Sequence, residues 1–152
     1  MADETTNDSS QTHTTPLPVA EVDWFLQHFI NLANNPAASV ELSLVLNVGG
    51  FLVSGTLVGG KKYFAAVAEL LSSANTNMPE ISEVWKGIAN YGKIYEVSAE
   101  EGEGNKNPQY LHLQNAKTFS TSGTPIQAGP GGWWRGRVAE VSGFSFGSLQ
   151  AN

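Results

Sequence analysis

The sequence predicts an α+β fold: an N-terminal helix, a small, strongly bent antiparallel sheet or open barrel, and a helical insertion between the second and third strands. Three observations predict it. Val40, Leu42, Leu44, Leu46 and Val48 occupy alternate positions, the period of a half-buried strand. Gly49-Gly50 supplies the positive φ angles of a tight hairpin, and a second apolar run, Phe51–Val58, follows at once. Near the other end, Trp133-Trp134-Arg135-Gly136-Arg137-Val138 reads as a partner strand.

Residues 1–18 are rich in Thr, Ser, Asn and Asp and finish in Pro16-Leu17-Pro18. Such a segment buries too little apolar surface to offset its ordering entropy, so a disordered tail is expected. Residues 19–149 then form one domain. Val22, Phe25, Leu26, Phe29, Ile30 and Ala33 recur at helical spacing, predicting a helix over Val19–Asn34 that Asn35-Pro36 ends. The hairpin follows, closed by Gly59-Gly60. The insertion, 61–108, begins with a helix over Lys61–Ser73, whose Phe64, Val67, Ala68 and Leu71 share a side. Pro79 opens a second helix, carried by Ile81, Val84, Trp85, Ile88 and Tyr91 and capped by Gly92. Glu96–Asn107 reads as an exposed charged loop. Tyr110–Phe119 is a strand with Leu111 and Leu113 inward, and Trp133–Val141 and Phe144–Leu149 are the last two strands.

Composition narrows the function. Charged residues make up 14% of the chain, against about a quarter in typical soluble domains. A sparsely charged surface tolerates close approach of other protein copies. The formal net charge of -6 and pI of about 4.9 argue against a nucleic-acid partner, which needs a basic surface. Without cysteine there is no disulfide, thiolate metal site or thiol nucleophile. No apolar run reaches the roughly 20 residues that span a bilayer, and the acidic, polar start MADETTNDSS is unlike a signal peptide. These features predict a soluble, cytoplasmic protein with no membrane partner.

No catalytic constellation emerges. His13, His28 and His112 lack metal-ligand spacing, so neither metal nor cofactor is expected. Gly49-Gly50 and Gly59-Gly60 lack the pattern of a phosphate loop, and Lys61-Lys62 beside a helix start reads as turn chemistry. Glu100, Glu101 and Glu103 belong to a solvated loop, which does not shift carboxylate pKa values as acid–base catalysis requires.

Trp133, Trp134, Arg135 and Arg137 are the candidate partner-binding residues. On a strand, Trp133, Arg135 and Arg137 share one face, and Trp134, Gly136 and Val138 the other. One tryptophan then belongs to the core and one lies outside beside two arginines, the composition of a binding hot spot. In the alternative, both tryptophans pack and the arginines face solvent.

Three segments carry a family resemblance: SLVLNVGGFLVSGTLVGGKKYF, YLHLQNAKTF and WWRGRVAEVSGFSFG. With them the chain resembles the gas vesicle accessory protein GvpU family. The resemblance implies a non-enzymatic protein acting by protein–protein interaction in gas vesicle assembly or organisation, including clustering. Its partners would be the vesicle shell or other accessory proteins.

The hairpin is also similar to the first signature of Sm-like proteins, through Gly50 and Gly55-Thr56-Leu57, and Trp134-Arg135-Gly136 with Val138 resembles the second. This plan implies free edges on the last two strands and hence a homo-oligomer. The Asp and Asn of an Sm-like RNA site are replaced by Lys61 and Ala65, leaving only the Arg-Gly half. These departures argue against RNA binding, and an Sm-like nucleic-acid-associated protein stands as the alternative reading.

Overall fold

The computed structural model describes residues 21–74, 77–96 and 107–150. The expected disordered tail at 1–18 and the acidic run Glu100, Glu101 and Glu103 lie outside the described residues, as does His13.

Helix α1 spans Trp24–Asn34, five residues shorter than periodicity suggests. Its start is set by Asp23, whose Oδ1 accepts hydrogen bonds from the Phe25 and Leu26 amides at 2.8 and 3.3 Å. An aspartate cap satisfies amides that the first helical turn leaves free, so the helix begins directly after Asp23. Strands β1 (Leu42–Val48) and β2 (Phe51–Val58) form the expected hairpin. Gly49 and Gly50 turn it with φ of 58° and 82°. Such angles match the twist of the flanking strands and carry no Cβ penalty in glycine.

Helix α2 (Gly60–Ala74) begins directly after β2, and α3 (Pro79–Gly87) starts on proline. The expected run to Gly92 instead passes into a 3-10 segment, Ile88–Tyr95. Strand β3 (Tyr110–Phe119) follows, then β4 (Gly132–Arg137). One 3-10 turn, Val138–Glu140, redirects the chain into β5 (Val141–Phe146). The last two strands are thus shorter or earlier than the pattern implies, because the turn falls inside the apolar run.

The five strands form one antiparallel sheet in the order β4-β3-β2-β1-β5. The expected plan holds: an α+β protein with an open sheet and helices between the second and third strands. The sheet does not close into a barrel; it stays open with the last two strands at its edges, as the open plan implies. The turn after Arg137 sends β5 across to pair with β1, so β4 and β5 stand at opposite edges and do not meet. Along the sheet, the β2–β3 register slips between Ser54 and Thr56, and the β3–β4 register between Leu113 and Ala116. Asn115 sits within this irregularity with a φ of 52°. Gly55 faces it, its Cα so close to β3 that an added Cβ would lie 3.0 Å from the Gln114 carbonyl oxygen. The sheet is kinked where a residue without a side chain allows it.

Helices pack on both faces of the sheet. On one, Leu26, Ile30 and Ala33 of α1 meet Leu44, Leu46, Val53, Leu57, Leu111 and Leu113 in the main core. Gln27 ties α1 down by donating to the Pro108 carbonyl at 3.3 Å. On the other face, α2 packs on β3 and Tyr95 of the 3-10 segment meets His112 there, burying Ala68, Tyr95 and His112.

Candidate partner-recognition site

Strand β4 carries the four candidate residues and is an edge strand. Its alternation divides them as expected. Trp134, opposite Leu113, packs against the main core. Its ring lies along the strand over Gly136, where any Cβ would overlap it. Trp133 is on the other face, with its ring 6.1 Å from that of Tyr63 on α2. Both tryptophans are half-buried. The insertion folds over the second face, and Tyr63 shelters Trp133, so neither tryptophan stands fully outside. Arg135 and Arg137 remain exposed.

The arginines do different work. Arg137 reaches Glu140 at 3.5 Å, an exposed pair worth under about 1 kcal/mol and easily exchanged for another partner. Arg135 is anchored. Its guanidinium stacks 3.7 Å from the Tyr110 ring centroid and 5.7 Å from that of Phe64. Its Nε–H donates to Nε2 of His112 at 3.3 Å. Register explains the cluster, since Arg135 pairs with His112, and Tyr110 stands two residues along the same face of β3.

His112 has no exposed surface and is ringed by Tyr63, Tyr95 and Phe64 at centroid distances of 4.5, 5.3 and 5.9 Å. Its Nδ1 has no hydrogen-bond partner among the described residues. Burial, and secondarily the charge of Arg135, lowers its pKa from 6.5 to about 4. The histidine is thus neutral near pH 7, able to accept from the arginine. Burial likewise raises the Tyr63 pKa, against a smaller opposing effect of Arg135.

This aromatic cluster was not apparent in the sequence. Alternation placed Leu111 and Leu113 inward and hence His112 outward. The only sequence signal was the run of aromatic residues Tyr63, Phe64, Tyr91 and Tyr95 in the insertion. Those residues face the sheet or one another: Phe64 also touches Tyr91 and Tyr95.

A cavity of about 360 Å³ lies between the end of α1 and the start of α2, lined in part by Asn34, Glu41, Lys61, Lys62, Tyr95 and Glu96. Lys61 pairs with Glu96 at 2.5 Å and Lys62 with Glu41. The amide at the start of α2, on Gly60, is held by Asn34 Oδ1 at 2.8 Å. The lysines next to this helix start are thus already paired, in keeping with turn chemistry rather than an anion site. Among the described residues, no three of His, Cys, Asp and Glu gather to hold a metal ion, and no helix is long and apolar enough to cross a membrane.

These features define an α+β protein with an open five-stranded sheet, one edge of which presents tryptophan and arginine. The family model described as gas vesicle protein GvpU-like matches residues 23–149, from the α1 cap to beyond β5. The chain belongs to the GvpU-like family and is a gas vesicle accessory protein. No curated protein and no solved structure matches it.

Proposed function

We propose that the protein acts without catalysis in the cytoplasm, recognising gas vesicles by protein–protein contact along β4 and so assisting their assembly or clustering. The family match over residues 23–149 carries the link to vesicles. The geometry supports β4 as the contact strand. Among the described residues it pairs with β3 alone, and it sets Trp133, Arg135 and Arg137 on one face. Aromatic and arginine side chains dominate binding hot spots because they bury large areas while losing little freedom. Arg135 is preorganised by Tyr110 and His112, whereas Arg137 can trade Glu140 for an acidic group on a partner. The partners are the vesicle shell, other accessory proteins, or a second copy of this chain.

Co-flotation tests this reading. Purified protein mixed with intact gas vesicles is expected to rise with them on centrifugation, and to bind single-stranded RNA weakly at physiological salt. Failure to float, together with tight RNA binding that falls steeply with salt, would instead establish the Sm-like alternative.

A further inference from the structure

The sheet edge opposite β4 bears a second surface that the β4 reading leaves unused. Phe25 and Phe29 of α1 meet Phe144 and Phe146 of β5 in a continuous ring cluster, with centroid distances from 5.0 to 6.3 Å. Trp24 extends it at 5.5 Å from Phe25. The cluster is only partly sheltered: Trp24 is 79% exposed, Phe146 55% and Phe25 41%. Contiguous exposed aromatic residues of this kind mark interaction surfaces.

Among the described residues no strand pairs with the outer side of β5. The Gly147 amide donates to the Ser43 carbonyl at 2.9 Å, in register with the Leu44–Phe146 and Leu46–Phe144 pairs. In an antiparallel ladder, alternate residues face the partner strand. Gly143, Ser145 and Gly147 therefore face β1, while Phe144 and Phe146 turn their N–H and C=O groups to the free side. Free edges are usually guarded by lysine, proline or inward-pointing charge. Val141–Phe146, VSGFSF, has none of these. The local charge is one-sided: Glu21 and Asp23 precede Trp24, and residues 21–34 and 141–150 contain no Lys or Arg.

We propose that this edge and its aromatic surface bind an extended segment of another protein, with alternating apolar residues and basic flanks, added to the sheet beside β5. Main-chain hydrogen bonds to Phe144 and Phe146 would supply affinity. The alternating side chains would rest on Phe146, Phe25 and Trp24, and the basic flanks would approach Glu21 and Asp23. The site is independent of the β4 contact and of whether the partner belongs to a vesicle.

The probe is a fluorescent synthetic peptide of about ten residues, alternating Val or Phe with Thr and ending in lysines, the length of an ordinary strand. Fluorescence anisotropy with the full chain is expected to show saturable binding. Trp24→Ser with Phe146→Ser is expected to weaken it roughly tenfold or more, with the thermal midpoint little changed. Should the double variant unfold, Trp24→Ser alone carries the test. N-methylation of alternate peptide amides is expected to abolish binding, and glutamate in place of the flanking lysines to weaken it. No binding, equal binding to the variant, or indifference to N-methylation or flank charge overturns the proposal. So does a sedimentation mass above the monomer that collapses in the double variant, because a second copy then occupies the surface.

Discussion

Arg135 donates through Nε–H to Nε2 of His112, 3.3 Å away, so a strand proposed for partner contact is fastened to a fully buried histidine on the neighbouring strand. Outer surface and inner packing share one side chain. Truncating Arg135 therefore changes more than a surface charge.

Arg135→Ala is expected to destabilise the fold by about 2 kcal/mol. It removes stacking on Tyr110 and Phe64 and leaves the buried His112 Nε2 without its donor. Arg135→Lys should recover part of this loss, since it keeps the charge but not the planar fork. Urea unfolding of the three proteins checks the order.

Stability is expected to fall as pH drops from about 6.5 to about 4, the window between the ordinary and the lowered His112 pKa. Across it the unfolded chain takes up a proton that the folded chain refuses, so the folded state loses ground as pH falls. Over the whole window the loss reaches about 3 kcal/mol, and above it this group contributes no slope. Unfolding midpoints measured at several pH values should vary less in His112→Gln. An unchanged slope would mean that carboxylates, not this histidine, govern the acid limb.

Gly55→Val is expected to cost on the order of 1–3 kcal/mol, and Gly55→Ala less. A Cβ at this position meets the Gln114 carbonyl at 3.0 Å and both the Ala116 Cα and the Leu113 Cβ at 3.1 Å. Two of these atoms are backbone and cannot rotate away. Thermal unfolding of both variants tests it; native stability in the valine variant would show that β3 can move off.

The glycine at the kink and the hairpin turn were legible in the sequence because each is a local event. Gly49-Gly50 sits between two apolar runs, and Gly55-Thr56-Leu57 interrupts one where no side chain fits. The order of strands and helices was legible for the same reason, through period and punctuation. What the sequence did not show is which surfaces the elements cover. Alternation assigned Leu111 and Leu113 inward and split the two tryptophans between faces, but it gave no sign that His112 and Trp133 meet the insertion. The insertion folds back over that second face, and a long-range contact of this kind leaves no mark in local periodicity. The β4–β3 register, which joins Arg135 to His112, is equally non-local. The aromatic surface of α1 and β5 was hidden likewise: Phe25 and Phe29 read as core positions, yet Phe25 lies at the rim.

The most direct measurement is co-flotation of three proteins with intact gas vesicles: the wild type, Arg137→Glu and Trp133→Ser. Arg137 is exposed and its pair with Glu140 contributes little, so its variant should fold normally. If β4 is the contact strand, the wild type floats and Arg137→Glu floats roughly tenfold less, with Trp133→Ser also weakened. Equal flotation of all three, with the folds intact, would contradict the assignment of vesicle recognition to β4.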